Sequence, residues 1–119
     1  MDLFDPTQLG LAAAMRATAT RQTAIAQNLA NANTPGYRRV TVDFQQQLDA
    51  VVASGDRQAI DRFAPQITQD AAAPVRADGS SVDVEREAAD QAANGLSYEA
   101  LAQVMRARID IVESAIGAH

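Results

Sequence analysis

Residues Thr34-Pro35-Gly36-Tyr37 constrain this chain of 119 residues more than any other stretch, because they stop a helix and turn the backbone. Pro35 fixes its own φ at about −65° and disfavours the α region at Thr34, so a helix arriving from the N-terminal side must end here. Pro-Gly also supplies the two central residues of a type II turn, whose second position needs a positive φ. Asn28, Asn31 and Asn33 stand just before the turn, with side-chain amides able to bond the groups freed at a helix end.

What arrives at that stop has the pattern of one long helix. Asp5 is an N-cap, Pro6 suits the first helical position, and Gln8 falls where a capping box wants Glu or Gln. Phe4 and Leu9 occupy the positions of a hydrophobic staple. Leu11, Met15, Thr18, Gln22, Ile25 and Leu29 then recur in alternating steps of four and three, a heptad seam diluted by its two polar members. The seam is flanked by alanines, so partner helices can approach closely. From Pro6 to Asn33 such a helix is about 42 Å long. An ordinary core helix fits this pattern, but the length and the thin seam favour one shared with other subunits.

Beyond the turn, Arg38 to Val42 reads as extended, and Phe44, Leu48, Val51 and Val52 form one face of a short helix that Ser54-Gly55-Asp56 ends. Periodicity is weak from Arg57 to Ser81. Ile60, Phe63 and Ile67 stand alone, Pro65 and Pro74 interrupt, and Asp78-Gly79-Ser80-Ser81 closes with turn residues. The expectation is an irregular, partly disordered insert without an assigned hairpin.

A second long helix begins near Asp83, with Ser80, Ser81 and Asp83 as candidate caps. Asp83, Glu85, Glu87 and Asp90 put negative charge where the helix dipole favours it. Tyr98, Ala102, Met105, Ile109, Val112 and Ile116 make one stripe, and Leu101, Val104, Arg108, Ile111 and Ala115 make a second beside it. The first helix is expected to cover one stripe and leave the other for a neighbour. Asn94-Gly95 reads as a weak point or bend, and Gly117 as the end. The expected fold is all-α: long N- and C-terminal amphipathic helices in a coiled-coil-like pair around an irregular middle, in segments 1–37, 38–81 and 82–119.

Composition decides how such a chain is stabilised. Alanine supplies 26 residues, while Leu, Ile, Val and Phe together number 25. That is close to the roughly 20% below which chains tend to be disordered, so stability is expected to need neighbours. Ten arginines against fifteen acids give a net charge of −5 and no basic face for nucleic acid. The charge is divided, at +2 over residues 1–42 and −4 over 82–119. Arg16 and Arg21 are therefore expected to face acids of the second helix, within one subunit or between neighbours. Arg38-Arg39 reads as a solvated basic turn, with an acidic partner groove as the minority alternative.

Chemistry finds little to stand on. There is no cysteine, and the one histidine, His119, is the last residue. The acids from Asp83 to Asp90 lack the spacing and glycine of an EF-hand, and the glycines are too scattered to cradle phosphate. No enzyme activity, cofactor or metal site is expected. No apolar stretch approaches the roughly 20 residues that span a bilayer, and Met1-Asp2-Leu3-Phe4-Asp5 is unlike a signal peptide. An adaptor or chaperone bundle remains an alternative; a membrane-surface helix is disfavoured by the acidic balance.

The run Asn31-Ala32-Asn33-Thr34-Pro35-Gly36-Tyr37 resembles the N-terminal signature of the bacterial flagellar axial proteins, the rod, hook and hook-associated subunits. Near the other end, Asp78-Gly79-Ser80-Ser81-Val82-Asp83-Val84-Glu85-Arg86-Glu87 and Ala93-Asn94-Gly95-Leu96-Ser97-Tyr98-Glu99-Ala100-Leu101 are similar to one of the two small proximal-rod subunits. The other small rod subunit, the alternative, usually carries paired glutamates and an Arg-Ala-Tyr-Glu run there. The resemblance implies a structural subunit of a helical tube that transmits torque and turns over no substrate. It further implies export without a cleaved signal, assembly in the periplasm, and contact with other rod subunits, the rod adaptor, the MS ring and export-gate proteins. Leu11, Met15, Ile25 and Leu29 of the first helix, with Tyr98, Leu101, Val104, Met105, Ile109, Ile111, Val112 and Ile116 of the second, are the residues expected to pack subunits.

Overall fold

The computed structural model describes residues 5–117, so Phe4 of the expected staple and His119 lie outside the described residues. Four helices and two short strands follow in the order α1 (Pro6–Ala30), β1 (Val40–Thr41), α2 (Gln45–Ser54), α3 (Arg57–Asp61), β2 (Thr68–Gln69) and α4 (Val84–Gly117). The two long helices run antiparallel, with residues near 28 beside 87 and residue 5 beside 108. The shape is a slender 66 × 25 × 15 Å.

Local signals in the sequence act where they stand. Asp5 caps α1, its carboxylate accepting the Gln8 N–H at 2.8 Å, and Pro6 takes the first turn. The helix closes at Ala30, three residues short of the expected end, and Asn31–Asn33 already belong to the turn. Asp83 receives the amides of Glu85 and Arg86 at the start of α4. That helix continues through Gly95 to Gly117, so the expected weak point does not interrupt it.

The hydrophobic core lies between α1 and the middle segment rather than between the two long helices. Its buried members are Ala13, Ala17 and Ala24 of α1 with Val42, Phe44, Leu48 and Ile60 of the middle segment. Val42, Phe44, Leu48 and Ile60 each bury enough apolar surface to contribute about 1.5–3 kcal/mol, and the alanines let their backbones come close. Gly10 serves the same end, since a Cβ there would sit 2.9 Å from Val52 Cγ2. The segment expected to be irregular adds one residue to this core, Ile60, with Phe63 and Ile67 partly buried against it. Within that segment α3 forms because Asp56 caps it through Gln58 and Ala59, and β2 pairs antiparallel with β1, Val40 opposite Gln69 and Thr41 opposite Thr68. The remainder, from Arg62 to Asp83, is mostly turns and extended chain.

Candidate functional site

The turn at residues 34–37 is built as the sequence requires and then fastened to a second turn far along the chain. Tyr37 N–H returns to the Thr34 carbonyl at 3.2 Å, and Gly36 takes φ +77°. Asn31 steadies the approach: its Nδ2 donates to the Gln27 carbonyl and its Oδ1 accepts from the Thr34 hydroxyl. Gly36 N–H donates to the Asp78 carbonyl at 2.9 Å, Ser81 N–H to the Tyr37 carbonyl at 3.0 Å, and the Arg76 guanidinium to the Ala32 carbonyl. Gly79, at φ +84°, approaches so closely that a Cβ on it would lie 3.2 Å from Gly36 Cα. The Ser80 amide, together with the Arg76 charge, holds the Asp78 carboxyl below its ordinary pKa, desolvation opposing. Asn33, Thr34, Pro35 and Gly36 remain exposed on the outside of this double turn.

Directly beneath lies a buried polar clamp. Glu87 is fully buried, and its carboxylate accepts from Arg39 Nε at 2.7 Å and Asn28 Nδ2 at 3.1 Å. Arg39 is buried as well and reaches Asp70 with its other side. Asn28 brackets β1, donating to the Val40 carbonyl and accepting the Val40 N–H, each at 2.8 Å. Desolvation works against the Arg39 charge, but the hydrogen bonds and charges of Glu87 and Asp70 outweigh it and raise its pKa. One cluster thus joins α1, β1, the segment after β2 and α4.

The clamp corrects two expectations. Arg39 is no solvated turn residue, and Glu87 does more than complement a helix dipole. A third correction concerns the pairing of Arg16 and Arg21 within the subunit, where neither meets an acid of α4. Arg16 donates to the carbonyls of Ile60 and Asp61, and Arg21 to that of Val42 while lying 4.3 Å from the centre of the Phe44 ring. Both tie the middle segment to α1. The charge asymmetry between the ends of the chain could not reveal this, because the arginines meet backbone carbonyls rather than side-chain charges. A signal for the clamp did exist: Glu87, Asn94, Leu101 and Arg108 recur every seven residues, a polar-rich line where an apolar one would be cheaper.

That line faces α1. Asn94 donates to the Thr18 carbonyl and to Gln22 Oε1, both at 2.9 Å, and Arg108 pairs with Asp5 at 3.1 Å. Leu101, Met105 and Val112 are half-buried along it. The line shares Leu101 and Arg108 with the second expected stripe, while Met105 and Val112 beside it belong to the first, so α1 covers part of each. Tyr98, Ile109 and Ile116 stay exposed on one edge, and Val104 and Ile111 on the other, with Ile111 68% exposed. On α1, Ile25 is buried while Leu11, Met15 and Leu29 are half-buried. Of the residues singled out for packing, α1 and α4 thus bring part together and present the rest to solvent.

The arrangement is mechanical: a long stiff pair, one ionic clamp and two apolar edges. Among the described residues no His, Cys, Asp and Glu side chains gather to hold a metal ion, and no helix is long and apolar enough to cross a membrane.

Known proteins are similar to this chain in sequence. Residues 11–38 match the family model described as flagella basal body rod protein. The flagellar basal body rod protein FlgB of Escherichia coli (strain K12) is 30% identical over 123 residues, covering 85% of this chain and 88% of the relative. FlgB of Salmonella typhimurium is 32% identical over 104 residues, 72% and 75% of the two chains. FlgB of Bacillus subtilis (strain 168) is 27% identical over 141 residues, 98% and 97%.

Proposed function

This chain belongs to the family of flagellar basal body rod proteins that includes FlgB, and we infer from that membership that it is a structural subunit of the rod, the shaft that carries torque. It acts by packing, in association with other components of the basal body, and catalyses no reaction. The observation that carries the packing role is the pair of exposed apolar edges on α4, which a self-contained helical bundle would have covered.

In finer terms, the subunit polymerises through its terminal helices. Tyr98, Val104, Ile109, Ile111 and Ile116 meet neighbouring subunits, while Leu101, Met105 and Val112 hold α4 on α1. The Asn31–Tyr37 turn, rigid because it is fastened at both sides, sets the angle at which the middle segment leaves α1. Partners on this reading are other rod subunits, the rod adaptor, the MS ring and the export gate, with export that uses no cleaved signal and assembly in the periplasm.

The test is replacement of the chromosomal gene by Ile111→Asp. The purified variant should keep the parent's helicity, since Ile111 touches solvent, while isolated basal bodies lack rods and cells do not swim. Complete rods in that strain would remove the α4 edge from the mechanism. Normal swimming after deletion of the whole gene would remove the rod role itself.

A further inference from the structure

On the side of α1 opposite its alanine-lined core face, the two long helices leave a groove of about 510 Å³. Ala19, Thr23 and Ala26 form one wall, and Gly95, Tyr98 and Glu99 the other. Gly95 is the odd residue. Glycine destabilises a helix interior relative to alanine, and nothing among the described residues requires it, because a Cβ there would meet none of their atoms within 4 Å. The groove therefore has room that internal packing does not use. Asn94, at its floor, keeps a buried Oδ1 without a donor among the described residues.

The same edge of α4 repeats every seven residues. Gly95, Ala102, Ile109 and Ile116 form one line, and Glu99, Arg106 and Glu113 another beside it. Glu99 and Arg106 are exposed, and neither has an ion-pair partner among the described residues. A second copy laid parallel and in register would set Glu99 on Glu99 and Arg106 on Arg106. Laid antiparallel about the point between Ala102 and Gln103, it sets Arg106 beside Glu99 twice over. The same pairing brings Ile109 of each copy to within one residue, about 1.5 Å along the axis, of Gly95 of the other. Charge thus selects the antiparallel arrangement, and shape completes it.

We propose that the unassembled subunit pairs with a second copy of itself, antiparallel through this edge of α4, the isoleucine of each filling the glycine groove of the other. Such a contact is isologous, with the same patch used on both sides, and it closes on itself. A rod grows in one direction. Resting on the rod reading, the pair is therefore a storage form that hides an assembly edge and must open before incorporation.

Because the chain contains no cysteine, single cysteines report the pairing without background. In the purified full chain under oxidation, Ala102→Cys should form a disulfide-linked dimer. Gly95→Cys and Ile109→Cys should each fail alone and link when mixed. Sedimentation should show Glu99→Arg or Arg106→Glu weakening the dimer roughly tenfold in Kd, most at low salt, with the double exchange restoring it. Circular dichroism of each variant should match the parent, so that loss of pairing is not loss of fold. Homodimer links at Gly95 and at Ile109 would mean a parallel pair and overturn the proposal, as would a chain monomeric at every concentration. These outcomes are read on isolated protein and leave the rod reading standing, since rods and swimming in cells decide that one.

Discussion

Truncating Glu87 to alanine removes the centre of the clamp, and the structure sets the scale of the loss. The carboxylate is fully buried and is held by Arg39 and Asn28. Without it the Arg39 guanidinium stays buried with one anion, Asp70, whose own side chain is partly open to water at 19%. Breaking a buried ion pair by deleting one partner costs about 3–5 kcal/mol, because the other charge is left uncompensated. Asp70 offsets part of that, while the stranded Asn28 amide adds to it, so a loss of about 2–4 kcal/mol is expected. For a protein of marginal stability that is a large share of the total. Glu87→Gln, which keeps an acceptor of the same shape but no charge, should lose about half as much. Urea unfolding followed by circular dichroism measures both, with Glu85→Ala as an exposed control on the same helix. In the double variant Arg39→Met with Glu87→Leu the losses should be strongly non-additive, since neither charge is then left alone. If Glu87→Ala cost no more than the control, the clamp would be ornamental and the reasoning refuted.

Gly36→Val places a β-branched residue at φ +77° and should destabilise the subunit by about 1–3 kcal/mol, with rod completion failing while the chain is still made; a motile strain would contradict this. Gly10→Ala, normally favourable in a helix, should instead destabilise by about 1 kcal/mol because its Cβ meets Val52, as thermal melting would show. Arg21→Glu should weaken the isolated subunit at low and high salt alike, since it loses bonds to the Val42 carbonyl and a cation–π contact rather than a surface ion pair. Asp78 has a lowered pKa, so its contribution is present above its ordinary value of 3.8 and is lost as pH falls through the folded value. Asp78→Asn should therefore flatten the acid limb of a stability–pH curve below about pH 4 and leave the shape at neutral pH unchanged.

The sequence by itself determined what depends on near neighbours along the chain. Asp5-Pro6 starts α1, Pro35-Gly36 shapes the turn that follows it, Ser54-Gly55-Asp56 separates α2 from α3, and Asp83 starts α4, each through hydrogen bonds or dihedral limits spanning a few residues. The long helices and the motif turn were legible for that reason. Tertiary structure decided which faces meet. The leucine and isoleucine seam of α1 suggested a core between the long helices, but its alanine face admits Phe44, Leu48 and Ile60 so closely that the core forms there instead. Nothing local ties Asn28 to Glu87 or Gly36 to Asp78, which lie 59 and 42 residues apart. Charge totals misplaced Arg16 and Arg21 within the subunit because a total records sign and not whether an arginine meets a carboxylate, a ring or a carbonyl. A buried charge can persist only where the fold assembles its partners around it, and that assembly is a property of three dimensions.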